Sequence, residues 1–118
     1  MRYPLTVRDF LDRALTVYPD RIAVVDEPDQ PAHSWGEVSY AEFAHRAHLM
    51  AGNLQRLGVP VGGRVAIVSH NSARMLNAYF GVCAWGRVLV PVNYRLAIPE
   101  IAYIVEHSGS EVILVDVA

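Results

Sequence analysis

The sequence predicts an α/β fold in which a mainly parallel sheet is connected by crossover helices. Short runs of β-branched and other apolar residues, such as Val65–Val68 and Val112–Val115, alternate with longer amphipathic stretches. Continuous apolar runs are typical of parallel strands buried on both faces. Strands that alternate with helical patterns indicate βαβ units with right-handed crossovers. We therefore expect a single α/β subdomain over residues 1–118.

The composition narrows the functional class. The chain is 53% hydrophobic, above the average of about 45–50% for globular domains, yet no apolar run approaches the ~18 residues of a membrane span. We expect further chain to cover part of this apolar surface. The net charge is −2, and the absence of a basic tract argues against a nucleic-acid partner. Lysine is absent, which excludes Schiff-base chemistry and lysine-dependent phosphate loops.

Cysteine content and the N-terminal residues favour a cytoplasmic location, with peripheral attachment to a membrane left open. Cys83 is the only cysteine, so the chain forms no internal disulfide, as is usual in a reducing compartment. Residues 1–9 lack the apolar segment of a secretory signal.

The first elements predicted are an amphipathic helix and a hairpin. Thr6 is placed to cap the helix. Ile22–Val25 follows as a strand, residues 26–32 as an exposed loop with two prolines, and residues 35–38 as a second strand paired with the first. The apolar stripe of the helix consists of Val7, Phe10, Leu11, Ala14, Leu15 and Tyr18.

A second helix begins with a predicted capping box, in which the Ser39 hydroxyl accepts from the Glu42 N–H while the glutamate reaches back. The helix runs to Leu57, and Gly58 stands where a left-handed residue ends a helix. Its predicted inner face consists of Phe43, Ala47, Met50, Leu54 and Leu57.

Two more βα units follow the strand Val65–Val68. Asn71 or Ser72 caps a helix that runs to about Trp85, and its predicted packed side is Met75, Leu76, Tyr79, Phe80 and Cys83. Pro91 within the next strand indicates an edge or irregular strand. Pro99 opens the last helix, whose inner residues are Ile101, Ile104 and Val105. Because the chain ends directly after a strand, we expect its C-terminus to be a cut within a larger domain.

Several residue clusters resemble active sites without the spacing that such sites need. Gly62–Arg64 follows a helix and precedes a strand, the reverse of a phosphate loop, so we expect a plain turn. His45 and His48 point away from the apolar face and have no further metal ligands in sequence. Ser72 and Cys83 lack a nucleophile elbow, and Cys83 falls on an apolar helix face. We therefore predict no catalytic residue and no metal site in this chain.

Two strand ends carry polar residues at positions where α/β sheets place ligands. Ser69–Ser72 lies between a strand and a helix N-terminus, although helix capping alone accounts for these residue types. Asn93–Leu96 follows the next strand, and Arg95 offers a planar fork of donors suited to phosphate. From the residues alone, a solvated surface arginine is the commoner explanation.

Eight segments together resemble the N-terminal part of AMP-forming acyl-CoA synthetases, in the branch of fatty-acid–CoA ligases. They cover nearly the whole chain in the order that this family shows. The segments are Tyr18–Val25, Tyr40–Phe43, Leu57–Val59, Arg64–Val68, Asn71–Ser72, Ala78–Gly81, Val88–Leu96 and Glu100–Gly109.

The resemblance implies an N-terminal subdomain portion of the adenylate-forming enzyme fold. Such enzymes use ATP, Mg²⁺ and CoA: a fatty acid is activated to an acyl-adenylate and then transferred to the CoA thiol. The phosphate loop, ribose-binding aspartate and catalytic lysine of the family have no counterparts here, so we expect the chain to be inactive alone and to bind none of these cofactors tightly. Arg95 matches an arginine that in some relatives lies near the 3′-phosphate of CoA.

Partners and alternatives follow from the same resemblance. We expect the remainder of the parent polypeptide to be the main partner, with self-association as a homodimer through an uncovered edge or face of the sheet. A standalone interaction or CoA-binding module derived from such an enzyme is the alternative. A flavodoxin-like ligand-binding domain is a weaker one, because no phosphate-binding loop follows the first strand.

Overall fold

A computed structural model describes residues 5–116 of the chain and confirms the α/β class. Helices and strands alternate after an N-terminal helix and hairpin. In chain order the elements are α1 (Val7–Val17), β1 (Ile22–Val25), β2 (Glu37–Ser39), α2 (Tyr40–Arg56), β3 (Arg64–Val68), α3 (Ala73–Cys83), β4 (Val88–Val92), α4 (Ile98–Ser108) and β5 (Val112–Val115). None of the described helices is both long and apolar enough to cross a bilayer.

The strands form two sheets. β1 and β2 pair antiparallel, as the predicted hairpin does, but β2 begins at Glu37, beyond the left-handed Gly36. The second sheet is parallel in the order β4-β3-β5, and Val65 of the central strand lies between Leu89 and Val112. β4 is an edge strand of this sheet, which confirms the prediction from Pro91.

One face of the parallel sheet is closely packed under α2 and α3. Leu54, Val59, Val65 and Val82 form its buried core, and Val112 and Leu114 of β5 pack against them. A second core joins the hairpin and α1 to α2. It consists of Leu11, Val38, Phe43, Ala44 and Ala47.

The contact between α2 and α3 depends on Gly81. A Cβ atom at this position would lie 2.7 Å from the Met50 Sδ atom and 2.9 Å from its Cβ atom. Contacts this short are repulsive, so the two helices approach closely because residue 81 has no side chain.

The buried side of α3 differs from the prediction. Leu76 and Tyr79 are exposed, whereas Met75, Phe80 and Cys83 are only partly buried. The residues that are buried are mostly small: Ala73, Asn77, Ala78, Gly81 and Val82. Phe80 and Cys83 do pack against the buried cores, but the prediction was wrong for Leu76 and Tyr79 because a close helix–helix contact selects small residues, which a search for large apolar side chains overlooks.

The predicted faces of the first two helices are also only partly right. In α1, Leu11 and Ala14 are buried, but Phe10 is exposed, as are Val7 and Leu15. In α2, Leu57 is exposed because the helix ends at Arg56 and the chain turns at the left-handed Gly58.

The helix caps follow the sequence closely, with one correction. The Ser39 hydroxyl accepts from the Glu42 N–H at 3.1 Å, but the Glu42 carboxylate contacts the Arg46 guanidinium at 2.6 Å instead of reaching back. Ser72 caps α3 by accepting from the Met75 N–H at 3.2 Å. A nearby arginine therefore competes successfully with the backbone for the glutamate.

The other face of the parallel sheet is more open. Val112 and Leu114 point toward α2 and α3, so the alternating residues Ile113 and Val115 face the opposite way, and both are exposed. α4 begins with its proline in the first turn, as predicted, but none of its residues is fully buried. Its predicted inner residues Ile101, Ile104 and Val105 are half-buried. Apolar surface on this side thus remains uncovered within the described residues.

Candidate functional site

Loops that follow all three parallel strands meet at the carboxyl edge of the sheet. Ser69 follows β3 and Asp116 follows β5. The Asp116 N–H donates to the Val68 carbonyl oxygen at 3.2 Å, and the Asp116 carboxylate contacts the Ser69 hydroxyl. The Ser69 Oγ atom also lies 2.8 Å from the His70 carbonyl oxygen. Because a hydroxyl has one proton, Ser69 donates to only one of these acceptors at a time.

Arg95 lies at the same edge, in the turn that follows β4. The Asn93 side-chain oxygen accepts from the Arg95 N–H at 3.0 Å, which fixes the turn. The Arg95 Nε atom donates to the Tyr94 hydroxyl at 3.1 Å, and the Tyr94 ring lies against the His70 ring with 3.8 Å between centroids. The structure therefore brings His70 of the β3 loop and Arg95 of the β4 loop together through one tyrosine.

The Arg95 guanidinium is available to a ligand. The residue is exposed, and the two ion pairs found in residues 5–116, Arg8–Asp12 and Arg46–Glu42, do not involve it. Nε is bonded to Tyr94, whereas neither Nη atom has a hydrogen-bond partner among the described residues. This geometry suits an anion such as a phosphate, which a guanidinium binds through two parallel N–H groups.

A small cavity of about 190 Å³ lies beside Ser69 and Asp116. Most of its wall is apolar, with Arg74 as its only cation among the described residues. The lining residues are Trp35, Met50, Ile67, Ser69, Arg74, Ala78, Leu114, Val115 and Asp116. Because Asp116 also lines it, the cavity does not carry a clear positive charge.

Asp26 connects the loop after β1 to the start of α3. The prediction that residues 26–32 form an exposed loop was wrong for Asp26, which is buried. Its carboxylate is buried and accepts from the N–H groups of Trp35 and Ala73, each at 2.8 Å, and from the Gln30 amide at 2.8 Å. Burial by itself raises the pKa of Asp26, but these hydrogen bonds and the nearby Arg74 lower the pKa below its usual value. Asp26 thereby joins the hairpin to the first residue of α3.

The aromatic and arginine side chains near Asp26 form a second cluster that was not predicted from the sequence. The Arg46 guanidinium lies 4.1 Å from the Trp35 ring centroid, and that of Arg74 lies 5.5 Å from it. The Arg74 side chain also donates to the His33 carbonyl oxygen. The available signals were an aspartate directly after β1 and a tryptophan between the prolines of the loop and β2, but neither identifies its partner in sequence.

The remaining candidates lie where the sequence placed them. His45 and His48 are exposed, and the His48 ring packs edge-on against Trp85 at 5.3 Å. Cys83 packs beside the buried core under α3. Gly62 is a left-handed turn residue after Pro60 and Val61. In the part of the chain that the structure describes, no three histidine, cysteine or acidic side chains converge on one point.

Comparison with known proteins identifies the family. The model of the family described as "AMP-binding enzyme" matches residues 11–118. The chain belongs to the AMP-binding enzyme family. The resemblance inferred from the sequence is therefore confirmed over nearly the whole chain.

Several curated proteins that match the chain are CoA ligases. A long-chain-fatty-acid–CoA ligase of Thermus thermophilus is 40% identical over 112 residues, which is 95% of this chain and 20% of that protein. The 4-hydroxybutyrate–CoA ligase 2 of Metallosphaera sedula is 35% identical over 112 residues, 95% of this chain and 19% of that protein. The chain thus spans about a fifth of the length of these relatives.

Solved structures of the same family confirm the fold. The N-terminal domain of FACL13 from Mycobacterium tuberculosis matches with a TM-score of 0.83 and 33% identity, over 95% of this chain and 27% of that one. The anthranilate CoA ligase AuaEII in complex with anthranoyl-AMP matches with a TM-score of 0.84 and 26% identity, over 98% of this chain and 21% of that one. The chain therefore adopts the fold of part of the N-terminal subdomain of adenylate-forming enzymes.

Proposed function

We propose that the chain is the N-terminal part of a fatty-acid–CoA ligase. The complete enzyme activates a fatty acid with Mg-ATP to an acyl-adenylate and transfers the acyl group to CoA. The observation that carries the proposal is the family match over residues 11–118, together with 40% identity to a long-chain-fatty-acid–CoA ligase. The relatives also include ligases for acetate and 4-hydroxybutyrate, so fatty acid is the proposed substrate class without a chain length.

We expect the 118-residue chain to have no ligase activity by itself. Adenylate formation places negative charge on phosphates that need cationic and backbone donors around them. The chain has no lysine and no glycine-rich serine or threonine loop. The carboxyl edge of its sheet presents Arg95 and His70 without a nucleotide cradle.

The reading frame downstream of codon 118 tests the proposal directly. A frame that continues into a glycine-rich serine/threonine loop supports a ligase, and a stop codon supports the alternative of a non-catalytic module. ATP–pyrophosphate exchange then distinguishes the 118-residue chain from the complete product. The purified 118-residue chain should give no exchange with any carboxylate, whereas the complete product should give exchange with a fatty acid. Exchange by the short chain alone would refute its inactivity.

We assign to Arg95 the role of binding the 3′-phosphate of CoA in the complete enzyme. Its exposed guanidinium, anchored by Tyr94 and Asn93, supports this role. In that enzyme, Arg95→Ala should raise the KM for CoA about tenfold, the loss of one charge-assisted hydrogen bond.

Dephospho-CoA, which lacks the 3′-phosphate, makes the Arg95 test specific. Its KM should be the same for the wild-type enzyme and Arg95→Ala. Arg13→Ala, at an exposed arginine of α1, is the control for the loss of a surface charge. An equal rise in KM for CoA and dephospho-CoA would show that Arg95 does not bind this phosphate.

We propose that the rest of the polypeptide covers the open face of the parallel sheet and that the isolated chain self-associates there as a homodimer. The exposed Ile113 and Val115, next to an unpaired edge of β5, support this. Light scattering at high concentration should give a mass above that of the monomer, and Val115→Arg should lower it. A monomeric wild-type chain would contradict the proposal.

We place the proposed enzyme in the cytoplasm, in keeping with its single cysteine, and regard peripheral membrane attachment as the alternative. Cell fractionation of the complete product decides between them. Recovery in the membrane pellet that high salt releases would favour peripheral attachment.

A further inference from the structure

A second groove, lined by both polar and apolar residues, lies at the amino end of the parallel sheet, opposite the edge that holds Arg95. It encloses about 620 Å³ between the end of α2, the turn before β3 and the turn before β4. None of its lining residues is acidic. They are His48, Ala51, Gly52, Gln55, Gly58, Val59, Pro60, Val61, Trp85 and Arg87. Arg87 is the one permanently charged residue among those that line the groove.

Arg87 supplies that charge from a buried position. The residue is only 8% exposed, and its Nε atom donates to the Val59 carbonyl oxygen at 2.9 Å. No carboxylate of residues 5–116 forms an ion pair with Arg87, and no acceptor for its two Nη atoms is found there. The Nη atoms of Arg87 are not among the fully buried side-chain atoms without a partner in the described residues, so they reach the groove, where an anion could bind them.

The backbone holds Arg87 in place. The Gly62 N–H donates to the Gly86 carbonyl oxygen at 2.8 Å, and the Val88 N–H donates to the Gly63 carbonyl oxygen at 2.9 Å. These bonds join the turns on either side of the arginine. A guanidinium fixed in this way loses little conformational freedom when it binds an anion, which favours affinity.

The walls of the groove complement the arginine. His48 and Gln55 of α2 supply side-chain groups that can donate hydrogen bonds, and the Trp85 ring adds an apolar surface. The exposed Gly52 has no atom within 4 Å of the place where a Cβ would lie, which leaves room at the mouth.

We propose that this groove binds a small oxyanion, either a phosphate or a carboxylate, and that the two Nη atoms of Arg87 are its anchor. The site does not depend on the proposed ligase function, because it involves neither Arg95 nor the carboxyl edge of the sheet. The hydrogen bond from Nε to Val59 gives Arg87 a structural role as well, so a test must separate anion binding from folding.

Thermal unfolding of the 118-residue chain with sodium phosphate or sodium acetate, against sodium chloride at equal ionic strength, tests the site. At ten times the dissociation constant, the bound anion should raise the wild-type midpoint by roughly 5 °C. Arg87→Met, which keeps the apolar stem, should abolish the rise, and Arg87→Lys should weaken it. Arg13→Met removes the same charge from an exposed site and should keep the full rise.

Two results would overturn the proposal. One is an absence of any rise with either anion, and the other is an equal rise in the wild type and Arg87→Met.

If Arg87→Met fails to fold, NMR titration of the wild type decides. Phosphate or acetate should shift the Arg87 Hε resonance and the amide resonances of Gly52 and Gly58. Shifts confined to residues outside the groove would exclude this site. A response to phosphate alone or acetate alone identifies the head group.

Discussion

The two faces of the parallel sheet differ in how completely they are covered, although the same strands supply both. Val65 of β3 faces α2 and α3 and is 0% exposed, whereas Val115 of β5 points the other way and is 63% exposed. Apolar side chains are therefore not enough to define a core. The helices that precede and follow β3 complete one face, and α4 leaves apolar surface on the other. A single subdomain of this fold thus stabilises itself mainly from one side.

The largest expected difference between the faces is in the cost of removing a valine side chain. Val65→Ala should lower the free energy of unfolding by about 2–3 kcal/mol, because it removes buried methyl groups and leaves a cavity. Val115→Ala, the matched change on the open face, should cost less than about 0.5 kcal/mol. Urea unfolding followed by circular dichroism measures both. Both costs refer to the chain at dilutions where it is monomeric, and equal costs there would mean that other residues of the same chain cover this face of β5.

A smaller effect is expected where α2 and α3 meet on the packed face. Gly81→Ala places a methyl group against Met50 and should destabilise the chain by about 1–3 kcal/mol. Gly52→Ala, at an exposed position of α2 with open space around it, should stabilise the chain by about 0.4–1 kcal/mol.

The opposite signs of the two glycine substitutions are the result to check, and thermal unfolding of both variants provides it. A stabilising Gly81→Ala would show that the Met50 side chain moves aside, so that the helix contact is looser than the structure indicates.

The sequence predicts features that depend on neighbouring residues better than features that depend on packing between distant segments. Caps and breakers act locally, so Ser39, Ser72, Gly58 and Pro99 placed the helix ends to within a few residues. The parallel order follows from the alternation of strands and helices. Burial on α3 could not be predicted in this way, because it depends on which helix lies opposite.

The polar residues also differ in whether their contacts could be predicted from the sequence. Arg95 could be proposed because it lies in the turn after a strand, where parallel sheets place ligands, and because it matches an arginine of the family that the sequence resembles. Asp26 bonds to Ala73, 47 positions along the chain, and Arg87 bonds to Val59, 28 positions away. No short sequence pattern connects such pairs. Long-range contacts of single polar side chains could therefore not be predicted from the sequence.

The smallest expected effect concerns Asp26, which joins the hairpin to the packed face. Burial raises its pKa, but hydrogen bonds from Trp35, Ala73 and Gln30 hold the pKa in the folded state below the ordinary value of 3.8. Stability from this group is therefore fully present above pH 3.8 and is lost as the pH falls through the lower, folded pKa. Asp26→Asn should cost about 1 kcal/mol at neutral pH.

The dependence on pH separates this charge effect from a general loss of packing. The stability difference between wild type and Asp26→Asn should shrink as the pH falls below 3.8, because the protonated wild type has also lost the carboxylate. Asp29→Asn, in the same loop but exposed, should retain the wild-type pH profile. Urea midpoints measured from pH 7 to pH 2 give the comparison. A difference that stays constant over this range would mean that the carboxylate charge does not hold the hairpin against α3.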